Sequence, residues 1–318
     1  MSSLPRSAEV YAAEQRTEIG AAASAVGRLW DRVGDEFDAG YSQIEPQLLA
    51  VLDTAQARVA QGAMDYVPRL LHDTGQGALD RPSFGFDPLS FVGTAGDGMP
   101  TDSLAYGSVL RAKHTIAEGG TTLEALAAGR TFLTTAVGTL LSDTGRGVET
   151  LATAARPITG YARMLSPPSC GRCVVLAGKR YKTNEGFQRH PGCDCRHIPA
   201  TEDVAGDLTT DVSAYLGSLD DKSLARTLGS EANAEAFRLG ADPGQIVNAY
   251  RRGSLRTAQV FDKRIKYTTE GTTRRGWAHH RFRSADRRAP RMMPETILAQ
   301  AKTKEQALEM LRHYGWAV

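Results

Sequence analysis

All four cysteines of the chain fall between Cys170 and Cys195. Cys170-Gly-Arg-Cys173 has a two-residue spacing that lets both sulfurs face one ion, and its glycine suits a short turn. His190-Pro-Gly-Cys193 repeats the spacing, again with glycine, after an interval of 16 residues. Two such corners can build a tetrahedral Cys₃His site, the usual arrangement of structural zinc. The expected cofactor is therefore Zn²⁺, held by Cys170, Cys173, His190 and either Cys193 or Cys195, which compete for the fourth place. His197 is a further donor in reach of the sequence. Two other readings stand beside this one. The thiols can pack as small hydrophobes, or a pair can form a labile disulfide. A thioredoxin-type redox pair fits less well, because Pro167-Pro168-Ser169 reads as loop and such a pair follows a strand. A catalytic zinc would need an open position and a pocket; Asp194 and Glu185 are the only nearby acids that suggest one.

A second cluster is electrostatic. The chain has a formal charge of +2, but the total hides a polarity. Residues 1–150 carry 11 Lys and Arg against 19 Asp and Glu, a balance of −8. Residues 251–291 carry 13 against 3, a balance of +10. Arginine's planar fork suits phosphate, and aromatic rings can stack on bases. Arg274, Arg275, Trp277, Arg281 and Arg283 are the candidate nucleic-acid contacts. The same segment could instead meet an acidic protein partner, or face solvent.

Chemistry of other kinds finds no support. There is no Gly-x-Ser-x-Gly elbow, no His-Glu-x-x-His metal motif, no phosphate-binding Gly-x-x-x-x-Gly-Lys loop and no Glu-x-Glu corner. A Ser/His/His protease site could assemble from distant positions. His114, alone in a helical stretch, reads as a packed or surface residue. No catalytic residue is assigned.

The elements that must carry these clusters are mainly helical. Apolar residues from Ser7 to about Leu71 recur at three- and four-residue spacing, which predicts an amphipathic helical hairpin over 1–71 that turns near Gly40. Residues 72–106, rich in Gly, Pro and Asp, read as an irregular linker. Residues 107–155 return to helix, with a cap at Thr121 and Thr122 and a run to about Leu141. A Cys-rich α+β module with helices occupies 156–252, where Asp220 is an expected N-cap. Residues 253–318 form the basic arm, irregular or a pair of short strands, and a helical tail with Pro294 at a first helical position and a Thr303/Gln306 capping box. The fold class is mainly α, with an α+β module. At 41% hydrophobic and 23% charged the chain is globular. It has no long apolar span and no basic-apolar leader, so a reducing cytoplasm and no membrane are expected.

The stretch "SPPSCGRCVVLAGKRYKTNEGFQRHPGCDCRHIPA" resembles the signature of the phage Mu F-like minor head proteins, of the kind found in phages of actinobacteria. Leu176, Gly178, Lys179, Tyr181, His190, Pro191, Cys193, Cys195 and Pro199 stand at the matching positions. "GSEANAEAFRLGADPGQIVNAYRRG" and "TTEGTTRRGWAHHR…RMMPETIL" resemble the segments that follow. The likeness covers residues 155–318; the front helices agree by arrangement only. It implies a minor capsid protein inside the head, present in few copies and associated with the portal. Such a protein supports head assembly, genome packaging or genome delivery. Its partners would be the portal protein and other head proteins; non-specific contact with genomic double-stranded DNA is an expectation from the charge of the basic segment. It would be made in the host cytoplasm and end in the virion, in the capsid interior near the portal. The runner-up is a capsid maturation protease acting on head proteins.

Overall fold

The computed structural model describes residues 5–165, 169–177, 179–182, 195–201, 211–251, 253–260, 263–271 and 290–318. The fold is mainly α with two small three-stranded sheets. It divides into two compact units. One comprises residues 2–167 and 179–209, the other residues 168–178 and 210–318.

The first unit is built on α1 (Arg6–Trp30), α2 (Phe37–Asp73), α3 (Thr101–Ala117) and α4 (Thr122–Ala154). The turn between α1 and α2 lies at Gly34, whose φ of 69° favours glycine. Gly40, the expected turn, is inside α2. A Cβ there would sit 1.9 Å from the Val33 carbonyl oxygen, so its glycine serves close approach, not turning. α2 also runs through Pro46 and Pro68. Burial of Ile44, Leu48, Leu52, Tyr66 and Leu70 along one stripe outweighs the local penalty of about 3 kcal/mol per interior proline.

The connection after α2 contains only two 3₁₀ turns, at Gly77–Leu79 and Pro88–Phe91. Fully buried Gln56 fastens it. Its amide donates to the carbonyls of Phe91 (3.1 Å) and Thr94 (3.0 Å) and to Thr144 Oγ1 (3.0 Å). Helix resumes at Thr101, earlier than the Gly-rich composition suggested, and α4 continues well past Leu141 to Ala154. The expected cap at Thr121 forms a full capping box with Glu124.

Trp30 anchors the bundle. It is 1% exposed, its indole donates to the Leu126 carbonyl at 2.9 Å, and it packs with Leu48, Val109, Leu133 and Val137. At the other end, Tyr66, Leu70, Leu71 and Val148 pack against Ile158, Ala162, Met164 and Ile198. The latter three belong to a sheet ordered β2-β1-β3, with β1 Gly160–Met164, β2 Arg180–Lys182 and β3 Arg196–Pro199, all antiparallel.

The second unit begins with α5 (Gly171–Leu176) and continues as α6 (Val212–Gly217), α7 (Asp221–Leu228), α8 (Glu231–Arg238) and α9 (Pro243–Asn248). Asp211, Asp220, Ser230 and Asp242 cap α6 to α9 through their side chains, Asp220 as expected. The described residues of the basic segment include three strands. β4 (Leu255–Val260) pairs antiparallel with β5 (Lys263–Thr268), and β5 pairs with the two-residue β6 (Arg291–Met292). α10 (Pro294–Gln300) and α11 (Lys304–His313) close the unit, with Pro294 at the first helical position and Thr303 accepting from the Gln306 amide at 3.2 Å. Ile246, Met293, Ile297, Leu311 and Trp316 form its core.

Candidate functional site

The sequence places two candidate sites: the cysteine window and the basic segment. Cys170 is the N-cap of α5 and Cys173 lies in its first turn. The two residues are therefore the N-cap and the third residue of one helical turn, and the Cys170 side chain makes no capping hydrogen bond. Gly171 gives room rather than turn freedom here. A Cβ on it would lie 2.5 Å from the Thr227 carbonyl oxygen at the end of α7. Cys170 is exposed and Cys173 buried. The donor chemistry of this pair fits a soft divalent ion such as Zn²⁺, with two thiolates one helical turn apart.

The other ligand candidates are placed differently. Cys195 is buried and leads directly into β3, in the first unit, whereas Cys170 and Cys173 belong to the second. His190 and Cys193 lie outside the described residues. Among the described residues, no group of three or more His, Cys, Asp and Glu is arranged to hold a metal. His197 has neighbours of its own. Its ring stacks on Tyr161 at 4.4 Å, its Nδ1 is 3.9 Å from Glu149 Oε2, and its carbonyl accepts from the Tyr66 hydroxyl at 3.1 Å.

In the basic segment, Arg274, Arg275, Trp277, Arg281 and Arg283 all lie outside the described residues. The described cations there separate into three kinds. Arg256 and Arg264 are exposed on the β4–β5 hairpin, and Arg251 is exposed with its guanidinium 3.7 Å from Glu270. Lys266 is held by Glu295 at 2.7 Å. Arg291 is a core residue with no exposure. Its guanidinium donates to the carbonyls of Tyr314 (2.8 Å), Gly315 (3.2 Å) and Glu270 (3.3 Å) and to Gln245 Oε1 (3.1 Å), and lies 3.9 Å from the Trp316 ring centre. Burial lowers its pKa to about 10, which leaves it charged at neutral pH.

Sequence reasoning counted Arg291 with the arm and missed this role. The signal available was its position directly before Met292-Met293-Pro294, where a core strand and a helix start meet. A second unforeseen feature is the relay from Asn233 through Tyr250 to Glu295 and Lys266. Asn233 donates to the Tyr250 oxygen and Tyr250 to Glu295 Oε1, each at 2.8 Å. Burial, with the Glu295 carboxylate as a lesser cause, raises the Tyr250 pKa to about 12. His114 is a surface residue beside Glu118, as its isolation suggested.

The charge polarity of the sequence follows the division into units. Residues 168–178 and 210–318 carry 20 Lys and Arg against 12 Asp and Glu, a balance of +8. The remainder carries 18 against 24, a balance of −6. No family model, no curated protein and no solved structure matches the chain.

Proposed function

We propose that the chain is a phage minor head protein of the Mu F-like kind, held inside the capsid beside the portal, where it supports head assembly and the packaging or delivery of the genome. The observation that carries this reading is the Cys-x-x-Cys … His-Pro-x-Cys-x-Cys window with its intervening Leu176, Gly178, Lys179 and Tyr181. The charge division supports a split of labour. An acidic helical bundle suits protein contact, and a basic unit suits sequence-neutral contact with DNA phosphates. The spacing of the same residues separately supports one structural zinc, bound by Cys170, Cys173, His190 and either Cys193 or Cys195.

Co-expression with the major capsid protein tests it against the protease alternative. A head protein leaves the capsid protein intact and changes the yield or shape of assembled heads. Specific cleavage of the capsid protein that disappears on a single Ser or His substitution would assign the chain to the proteases instead.

A further inference from the structure

We infer that the open seam between α3 and α4 is a docking groove for one amphipathic helix of a partner protein, seated antiparallel to α4. The inference concerns the kind of element bound and does not depend on the virion reading. The groove encloses about 680 Å³. Leu104, Phe132, Ala136 and Leu140 supply apolar lining, and the α4 rim carries only small side chains, Ala127, Thr131, Thr135 and Thr139, at four-residue spacing. That ridge lets another helix backbone approach closely. From Ala127 to Asp143 the lined part of α4 rises about 24 Å, roughly four helical turns.

The two ends of the groove differ in charge, which suits a helix as occupant and sets its direction. α3 and α4 join through a short turn, and their register is set where a Cβ on Gly107 would lie 2.7 Å from the Phe132 ring. Arg111, one turn beyond Gly107, is therefore level with Ala128, at the N-terminal end of α4. The opposite end is closed by the 95–97 loop, where Gly96 abuts Asp143. That end holds exposed Asp97 and also Asp143, which is 3.2 Å from Arg146. An apolar trough with an acid at one end and a base at the other complements a helix dipole. The partner's N-terminus, partially positive, faces Asp97; its C-terminus, partially negative, faces Arg111. Leu110 and Leu123, near the Arg111 end in sequence, are exposed at 55% and 78%. Recognition of an amphipathic helix by such a trough uses apolar anchors at three- and four-residue spacing.

The test uses the full chain and a designed amphipathic peptide of about 16 residues, matched to the groove length, with leucines along one face and a nitroxide at its N-terminus. The expected result is saturable binding that broadens the Gly96 and Gly98 amide signals. Thr131→Arg and Thr135→Arg, both at exposed positions, should each weaken binding about tenfold or more with unchanged circular dichroism. Thr54→Arg, on the α1–α2 seam, should leave it unchanged. The pair Asp97→Arg with Arg111→Asp should turn the peptide round, so that Gly119 and Gly120 broaden instead. The proposal is overturned by no binding near millimolar peptide, by binding indifferent to Thr131→Arg and Thr135→Arg, or by a wild-type label that broadens Gly119. It is equally overturned if the chain dimerises through this seam, with dimer lost in Thr131→Arg, because the occupant is then a second copy.

Discussion

Arg291 shows how far a residue's role can lie from its composition. It stands last in a run of thirteen cations, yet its guanidinium satisfies three carbonyls and a side-chain amide while resting on Trp316. Removing it takes the donor from one buried and three part-buried acceptors. Arg291→Gln should destabilise the second unit by about 3 kcal/mol, read as a lower urea midpoint for that unit's transition, while Arg256→Gln should change it by less than about 0.5 kcal/mol. The cysteines carry a second prediction at this scale. Protein purified under reducing conditions should contain about one zinc per chain, and Cys173→Ser should lose it. A metal-free chain that is fully folded, with every thiol open to reagent, would contradict the zinc site.

Among the elements, α4 packs against each of the other three long helices of the first unit, as α2 also does. Gly129 is where it passes closest, since a Cβ there would lie 2.3 Å from the Trp30 ring and 2.9 Å from the Ser108 carbonyl oxygen. Gly129→Ala should therefore destabilise this unit by about 1–3 kcal/mol, despite the higher helix propensity of alanine, with a matching fall in thermal midpoint. Caps were legible in the sequence, because Thr121, Asp220 and Thr303 act on their own neighbours. Helix existence was legible too, from apolar spacing. The turn was not: each glycine could have made it, and the φ of 69° at Gly34 and the close approach of Val33 at Gly40 tell them apart. The start of α3 was hidden by the Gly-rich run before it, and the extent of α4 by its many Gly and Thr, whose place is decided by packing. For the candidate sites, residue types and spacing were readable. Burial was not, which is why Arg291 and Lys266 were counted with the exposed arm.

At the scale of the molecule, an acidic helical unit with a balance of −6 accompanies a second unit with a balance of +8. Among the described cations of 251–291, Arg291 is buried, Lys266 is engaged by Glu295 and Arg251 lies 3.7 Å from Glu270, so fewer than the thirteen can reach phosphate. If roughly half reach phosphate, affinity for duplex DNA should fall with salt at a log–log slope of about −5. Changing Arg274, Arg275, Arg281 and Arg283 to Gln should flatten the slope by about 3 to 4, and Trp277→Ala should weaken single-stranded more than duplex binding. Filter binding by the full chain at two salt concentrations checks this, and no binding at about 50 mM salt would turn the segment toward a protein partner. The central claim, residence inside the head near the portal, is tested most directly by protease protection. On that proposal, intact heads of the encoding phage would be treated with protease, then opened and treated again, with the chain followed by mass spectrometry. The account predicts a chain present in few copies, protected in intact heads and digested once they are opened. A chain absent from purified heads, or digested while they are intact, would contradict it.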